Sequence, residues 1–159
     1  MSASPLKLFH FEGGDALPAF RAQSLLQRLQ AVCARIDGVA ARHLHWVAFD
    51  AAPAAADLDK LRALLSYGDP YRGADGGELF VVMPRLGTVS PWASKATDIA
   101  RNCGLTVHRI ERVVEFRLTL EKKLLGASRP LADAERHAVG ALLHDRMTES
   151  LALDRKSVV

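Results

Sequence analysis

Thr106 to Leu120, TVHRIERVVEFRLTL, restricts the fold of this chain more than any other stretch. Ile110, Val114, Phe116, Leu118 and Leu120 fall on one parity, and the charged residues fall mostly on the other. Alternation with period two over this many residues describes a long strand with one buried face and one wet face. Such a strand belongs in an antiparallel sheet, because the strands of a parallel sheet are covered on both faces and read as unbroken apolar runs.

The other elements arrange themselves around this strand. Leu6 to Phe11 alternates and runs into Gly13-Gly14, Ala40 to Asp50 suits a half-buried strand, and Glu78 to Pro84, ELFVVMP, reads as a short central one. A first helix is expected from the Asp15 cap and Pro18 to about Asp37-Gly38, with Phe20, Leu25, Leu26, Leu29 and Cys33 on its apolar face. Asp57 or Asp59 opens a second, carrying Leu58, Leu61, Leu64 and Leu65, and the breaker-rich Ser66 to Gly77 forms a surface loop. Arg129-Pro130 introduces a last helix with Leu131, Ala134, Ala138, Leu142 and Met147 as its buried stripe. The order is βαβα twice over. It predicts an α+β fold: a mostly antiparallel sheet, helices on one face, and two similar βα halves.

Composition excludes several classes of function. The 159 residues are 49% hydrophobic and 25% charged, which is ordinary for one globular domain and enough to bury a core without disulfides or metals. Cys33 and Cys103 lack the dense spacing of a secreted disulfide scaffold, which points to the cytoplasm. No run approaches the ~18 apolar residues of a membrane span, so no membrane association is expected. Net charge is +3, but the arginines are scattered and aromatics make up only 6%, poor material for a nucleic-acid surface.

Catalytic signatures are sparse. No glycine-rich run ends in Gly-Lys-Ser or Gly-Lys-Thr, and Gly73, Gly76 and Gly77 lack dinucleotide-fingerprint spacing. Ser4 and Lys7 match Ser-x-x-Lys only at the chain start, with no Ser-Asp-Asn partner. His43 and His45 share a strand face, yet two imidazoles make half a zinc site, and partly exposed strand histidines are the plainer reading. His137 and His144, beside Asp145, read as surface histidines of the last helix, and Cys103 as a small buried hydrophobe. No catalytic residue and no metal ligand is therefore assigned.

VSPWASKATDIARNCGL, Val89 to Leu105, reads as a well-capped helix. Ser90 is the N-cap, Pro91 the first helical residue and Gly104 the left-handed stop; Trp92, Ala96, Ile99, Ala100 and Cys103 share one face. Ser94, Lys95, Thr97 and Asp98 are left for solvent or a partner. The amides at the helix start, with Ser90, are also suited to an anion.

Pro84 to Leu105, PRLGTVSPWASKATDIARNCGL, closely resembles the Pro-Arg-x-Gly-Thr-x-Ser-Pro-Trp-x-Ser-Lys-Ala-Thr-Asp-Ile-Ala-x-Asn-Cys-Gly-Leu signature near the start of the large, single-chain bacterial phosphoribosylformylglycinamidine synthases. Flanking pieces agree: PAFR at Pro18 to Arg21, LLSYG at Leu64 to Gly68, RIER at Arg109 to Arg112, and LHDRMTES at Leu143 to Ser150. The resemblance implies an ATP-dependent, glutamine-hydrolysing ligase of purine biosynthesis, using magnesium, whose synthetase and glutaminase regions lie beyond this chain. It implies that residues 1–150 form the N-terminal domain, similar to a dimer of the small subunit of the multi-subunit enzyme. It further implies a domain that bridges the two catalytic regions, performs no chemistry and binds no cofactor itself. On this reading Trp92, Ser94, Lys95, Thr97 and Asp98 face the rest of the enzyme, and neither cysteine is the glutaminase nucleophile. Leu151 to Val159 departs from the family's continuation and is expected to be a tail or truncated linker. The alternative is a free-standing regulatory module holding an anion at Ser90.

Overall fold

The computed structural model describes residues 5–122 and 129–155. Nine elements follow in order: β1 Lys7–Asp15, α1 Ala19–Val32, β2 Ile36–Phe49, α2 Ala55–Leu64, β3 Glu78–Pro84, α3 Pro91–Asn102, β4 Val107–Leu120, α4 Asp133–Leu143 and β5 Glu149–Ala152. The strands form one sheet in the order β1-β2-β4-β3-β5, and every neighbouring pair is antiparallel. The alternating stretch is β4, and it pairs with β2 from Ile36↔Leu120 to Phe49↔Val107 as the spine of the sheet.

All four helices lie on one face. Ile36, Phe80, Phe116 and Leu118 pack with Leu29 and Cys33 beside α1 and with Val139 and Leu143 of α4. Phe11, Val47, Phe49 and Ile110 pack with Leu61 and Leu65 beside α2 and with Ala100 of α3. Residues of the other parity, including Leu44, Val81 and Val113, form a smaller cluster on the opposite face with Met83 and Ala152. Burying a side chain such as Phe49 or Phe80, both fully enclosed, contributes roughly 1.5–3 kcal/mol.

Several expectations are corrected. The first helix stops at Val32 because Cys33 is already extended (φ −145°, ψ 107°), and Asp37-Gly38 lies inside β2. There the Asp-Gly signal marks a bulge rather than a stop: the register shifts between Ile36 and Gly38, and a Cβ on Gly38 would stand 2.5 Å from Thr119 Oγ1. Asp15 ends β1 and accepts from the Leu17 amide at 3.2 Å, so Pro18 rather than Asp15 stands at the N-cap of α1. Phe20 is exposed. On α4 the buried residues are Val139, Gly140 and Leu143, while Ala134 is exposed and Met147 lies past the helix end, 78% exposed. Leu151 and Ala152, in the segment read as a tail, belong to β5 and pair with Val82 and Val81.

On α3 the caps are as read: Ser90 Oγ accepts from the Ala93 amide at 3.0 Å, Pro91 opens the helix, and Gly104 takes φ +84°. Of the expected face, Ala100 is buried and Trp92 and Ala96 pack partly buried against the core, but Ala93 and Thr97 are the other enclosed residues, and Ile99 and Cys103 are exposed. Small residues on this stripe let the helix sit close to β4, and the polar Thr97 is used inward. Its hydroxyl donates to the Ala93 carbonyl at 2.7 Å and accepts from the Ile110 amide at 3.0 Å, satisfying a buried strand N–H.

Candidate functional site

A cleft of about 550 Å³ opens in the helical layer between the two packed clusters. Val82 of β3 and Val114 of β4 contribute its apolar surface; His43, Arg112, Ser90 and Trp92 supply aromatic and polar groups, and Arg85 and Glu149 join them from flanking segments. The lining residues come from Pro84–Trp92, from the Arg112 end of RIER and from Met147–Glu149, while Tyr67 of LLSYG bonds to Arg112. Four stretches that carry the family resemblance, far apart in sequence, thus meet at one place.

A hydrogen-bond chain runs beneath Trp92. Arg112 Nη1 donates to the Tyr67 hydroxyl at 3.2 Å, and that hydroxyl lies 2.8 Å from His45 Nε2. His45 Nδ1 lies 3.3 Å from the Phe11 carbonyl. A carbonyl only accepts, so Nδ1 carries a proton; with burial holding the imidazole neutral, Nε2 accepts from the Tyr67 hydroxyl. Burial drives the His45 pKa down to about 4; the Phe11 carbonyl opposes this, while His43 and Arg112 reinforce it. His43 is lowered as well, chiefly by burial and then by Arg112, against a smaller opposing pull from Asp15. His45 is therefore a fully enclosed, hydrogen-bonded group on the helix side of β2 rather than a partly exposed one, whereas His43 beside it stays partly exposed, as read. Among the described residues no group of three or more His, Cys, Asp or Glu could hold a metal ion.

Trp92 stands half-buried at the cleft wall, its ring 5.6 Å from that of His45 and stacked 4.5 Å below the Arg112 guanidinium. On its other side it borders an apolar groove between α2 and α3, shared with Lys95, Leu61 and Ile99. Ser94, Lys95 and Asp98 are exposed. Thr97 is enclosed by its two bonds and drops out of the contact surface. Ser90 donates to Glu111 at 3.2 Å, so a carboxylate already occupies the hydroxyl at the helix start. Sequence reasoning assigned no role to Tyr67 or Arg112; their signal was their place in LLSYG and RIER.

The opposite face of the sheet holds a separate charged cluster. Glu115, fully buried, receives Arg155 Nε at 2.6 Å, Arg42 Nη2 at 3.1 Å and Arg117 Nε at 3.4 Å. Burial pushes its carboxyl up, but bonds and charge from Arg155, then Arg42 and Arg117, outweigh this and hold it below the usual carboxylate range.

One antiparallel sheet, one helical layer and a cleft between helix pairs define the chain as an α+β sheet-and-helix domain with a single-sided site. A model of the family described as formylglycinamide ribonucleotide amidotransferase N-terminal matches residues 42–158. The chain belongs to that family, and is thus of the N-terminal domain type of a purine-biosynthesis enzyme. The match begins inside β2, so β1, α1 and the PAFR piece lie outside it. No helix among the described residues is long and apolar enough to cross a membrane.

Proposed function

We propose that this chain is the non-catalytic N-terminal domain of the cytoplasmic, ATP-dependent glutamine amidotransferase that converts formylglycinamide ribonucleotide to the amidine, and that it bridges the synthetase and glutaminase regions. On this reading ATP and magnesium belong to the synthetase region. The observation that carries the proposal is the convergence of four family-resembling stretches on one cleft and the adjoining face of α3. Beside it Ser94, Lys95 and Asp98 make no side-chain hydrogen bond or ion pair among the described residues, and Trp92 offers a large, rigid contact surface of the kind that anchors interfaces.

The topology supports two similar halves. β1-α1-β2-α2 and β3-α3-β4-α4 repeat one order, β2 and β4 meet antiparallel at the centre, and the helices pack as α1 with α4 and α2 with α3, as an approximate two-fold requires. A free-standing module holding an anion at Ser90 is less well supported, because the Glu111 carboxylate stands there.

In the full enzyme, Trp92→Ala or Lys95→Ala should lower the glutamine-dependent rate about tenfold while the ammonia-dependent rate stays within about twofold, since an interface loss of about 1.4 kcal/mol is tenfold. Unchanged glutamine-dependent rates in both variants would remove the proposal.

A further inference from the structure

We propose that Arg112 is the anchor of a carboxylate-binding site in this cleft, filled by an aspartate or glutamate side chain of the synthetase or glutaminase region. The inference rests on the bridging role proposed above and names the chemistry of the contact.

Arg112 is held rigidly and left uncompensated. Its guanidinium is stacked on Trp92, and Nη1 is engaged by Tyr67. Arg42, Arg109, Arg117, Arg136 and Arg155 each meet a carboxylate, whereas Arg112 has no ion pair among the described residues. A half-buried cation without a counter-charge is costly, and a bound anion removes that cost. A second group in the same cleft also lacks a partner among the described residues: His43 Nδ1 is a buried atom with no hydrogen bond there.

The donor set selects the anion. With Nη1 taken, Nε and Nη2 have no acceptor among the described residues, which leaves the planar fork that a carboxylate meets with two parallel bonds. Arg85 and Arg112 line the cleft against one acid, Glu149, whose Oε1 is already bonded to the Asp145 amide at 2.9 Å. One positive charge is left over, which matches a carboxylate rather than a phosphate dianion. Val82 and Val114 offer apolar contact for the methylenes of an acidic side chain.

Two measurements test this. In the chain labelled with ¹⁵N-arginine, the Arg112 Nε–H resonance should shift saturably with sodium acetate at constant ionic strength, and more weakly with inorganic phosphate. Tighter saturation by phosphate would overturn the carboxylate assignment. Second, affinity for the remaining synthetase–glutaminase polypeptide should fall tenfold or more in Arg112→Gln, and Arg112→Lys, which keeps the charge but loses the fork, should not restore it. Wild-type affinity in Arg112→Gln together with weakened binding in Trp92→Ala would sink the carboxylate site and leave the bridging role standing. Wild-type affinity in both variants would remove both ideas.

Discussion

Glu115→Gln is expected to destabilise the chain by about 3–5 kcal/mol, the cost of removing one member of a buried ion network and stranding the others. The substitution keeps the shape of the side chain and removes its charge. Arg42, itself only 8% exposed, then loses its buried counter-charge and keeps Glu12 at 3.3 Å and the exposed Asp75 at 3.8 Å. Arg155 keeps Glu12 at 3.0 Å. Urea unfolding reads the loss directly, and adding Arg42→Met to Glu115→Gln should recover part of it, because the double variant no longer buries an unpaired guanidinium. A loss below about 1 kcal/mol would show that solvent already screens the network, as it does for surface pairs.

Acid should weaken the fold well before the carboxylates titrate. His45 has a folded pKa of about 4 against an ordinary 6.5, so the unfolded chain binds its proton first as pH falls. Stability from this group is complete above pH 6.5 and drains away toward pH 4, a loss of about 3 kcal/mol at about 1.4 kcal/mol per pH unit. His43 adds to the loss in the same direction. Glu115, whose folded pKa is depressed, contributes stability that disappears only at still lower pH, as it falls through that folded value. Unfolding free energies measured at steps from pH 7.5 to 4 should fall more steeply in the wild type than in His45→Leu, whatever the absolute stability of the variant. Equal slopes would mean that His45 is not held neutral by its surroundings.

Local signals in the sequence were strong where structure is local. β3 runs from Glu78 to Pro84 as its apolar run implies, and α3 has the Ser90, Pro91 and Gly104 punctuation that cap chemistry demands. The alternation of β4 carried the antiparallel fold class. What could not be read depends on tertiary partners. The face of α3 is set by how closely small side chains let it approach β4, so Ala93 and Thr97 join Ala100 as the enclosed residues while Ile99 is left exposed. Asp37-Gly38 looks like a stop until the pairing with β4 absorbs it as a bulge. β5 has only four residues, too few for periodicity to register. Glu12, Arg42, Glu115 and Arg155 come from distant parts of the chain, so no spacing announces their network. At the cleft, Trp92 was singled out by its place in the capped helix, whereas Arg112, Tyr67 and His45 become a unit only when β1, β2, β4 and the loop after α2 are brought together.

The most direct test of the central claim is to mix this chain with the remaining synthetase–glutaminase polypeptide and measure glutamine-dependent formation of the amidine. The account predicts that the chain alone releases no ammonia from glutamine, and that adding it in stoichiometric amount restores glutamine-dependent synthesis to the remaining polypeptide. Full synthesis by the remaining polypeptide without the chain, or ammonia release by the chain alone, would contradict it.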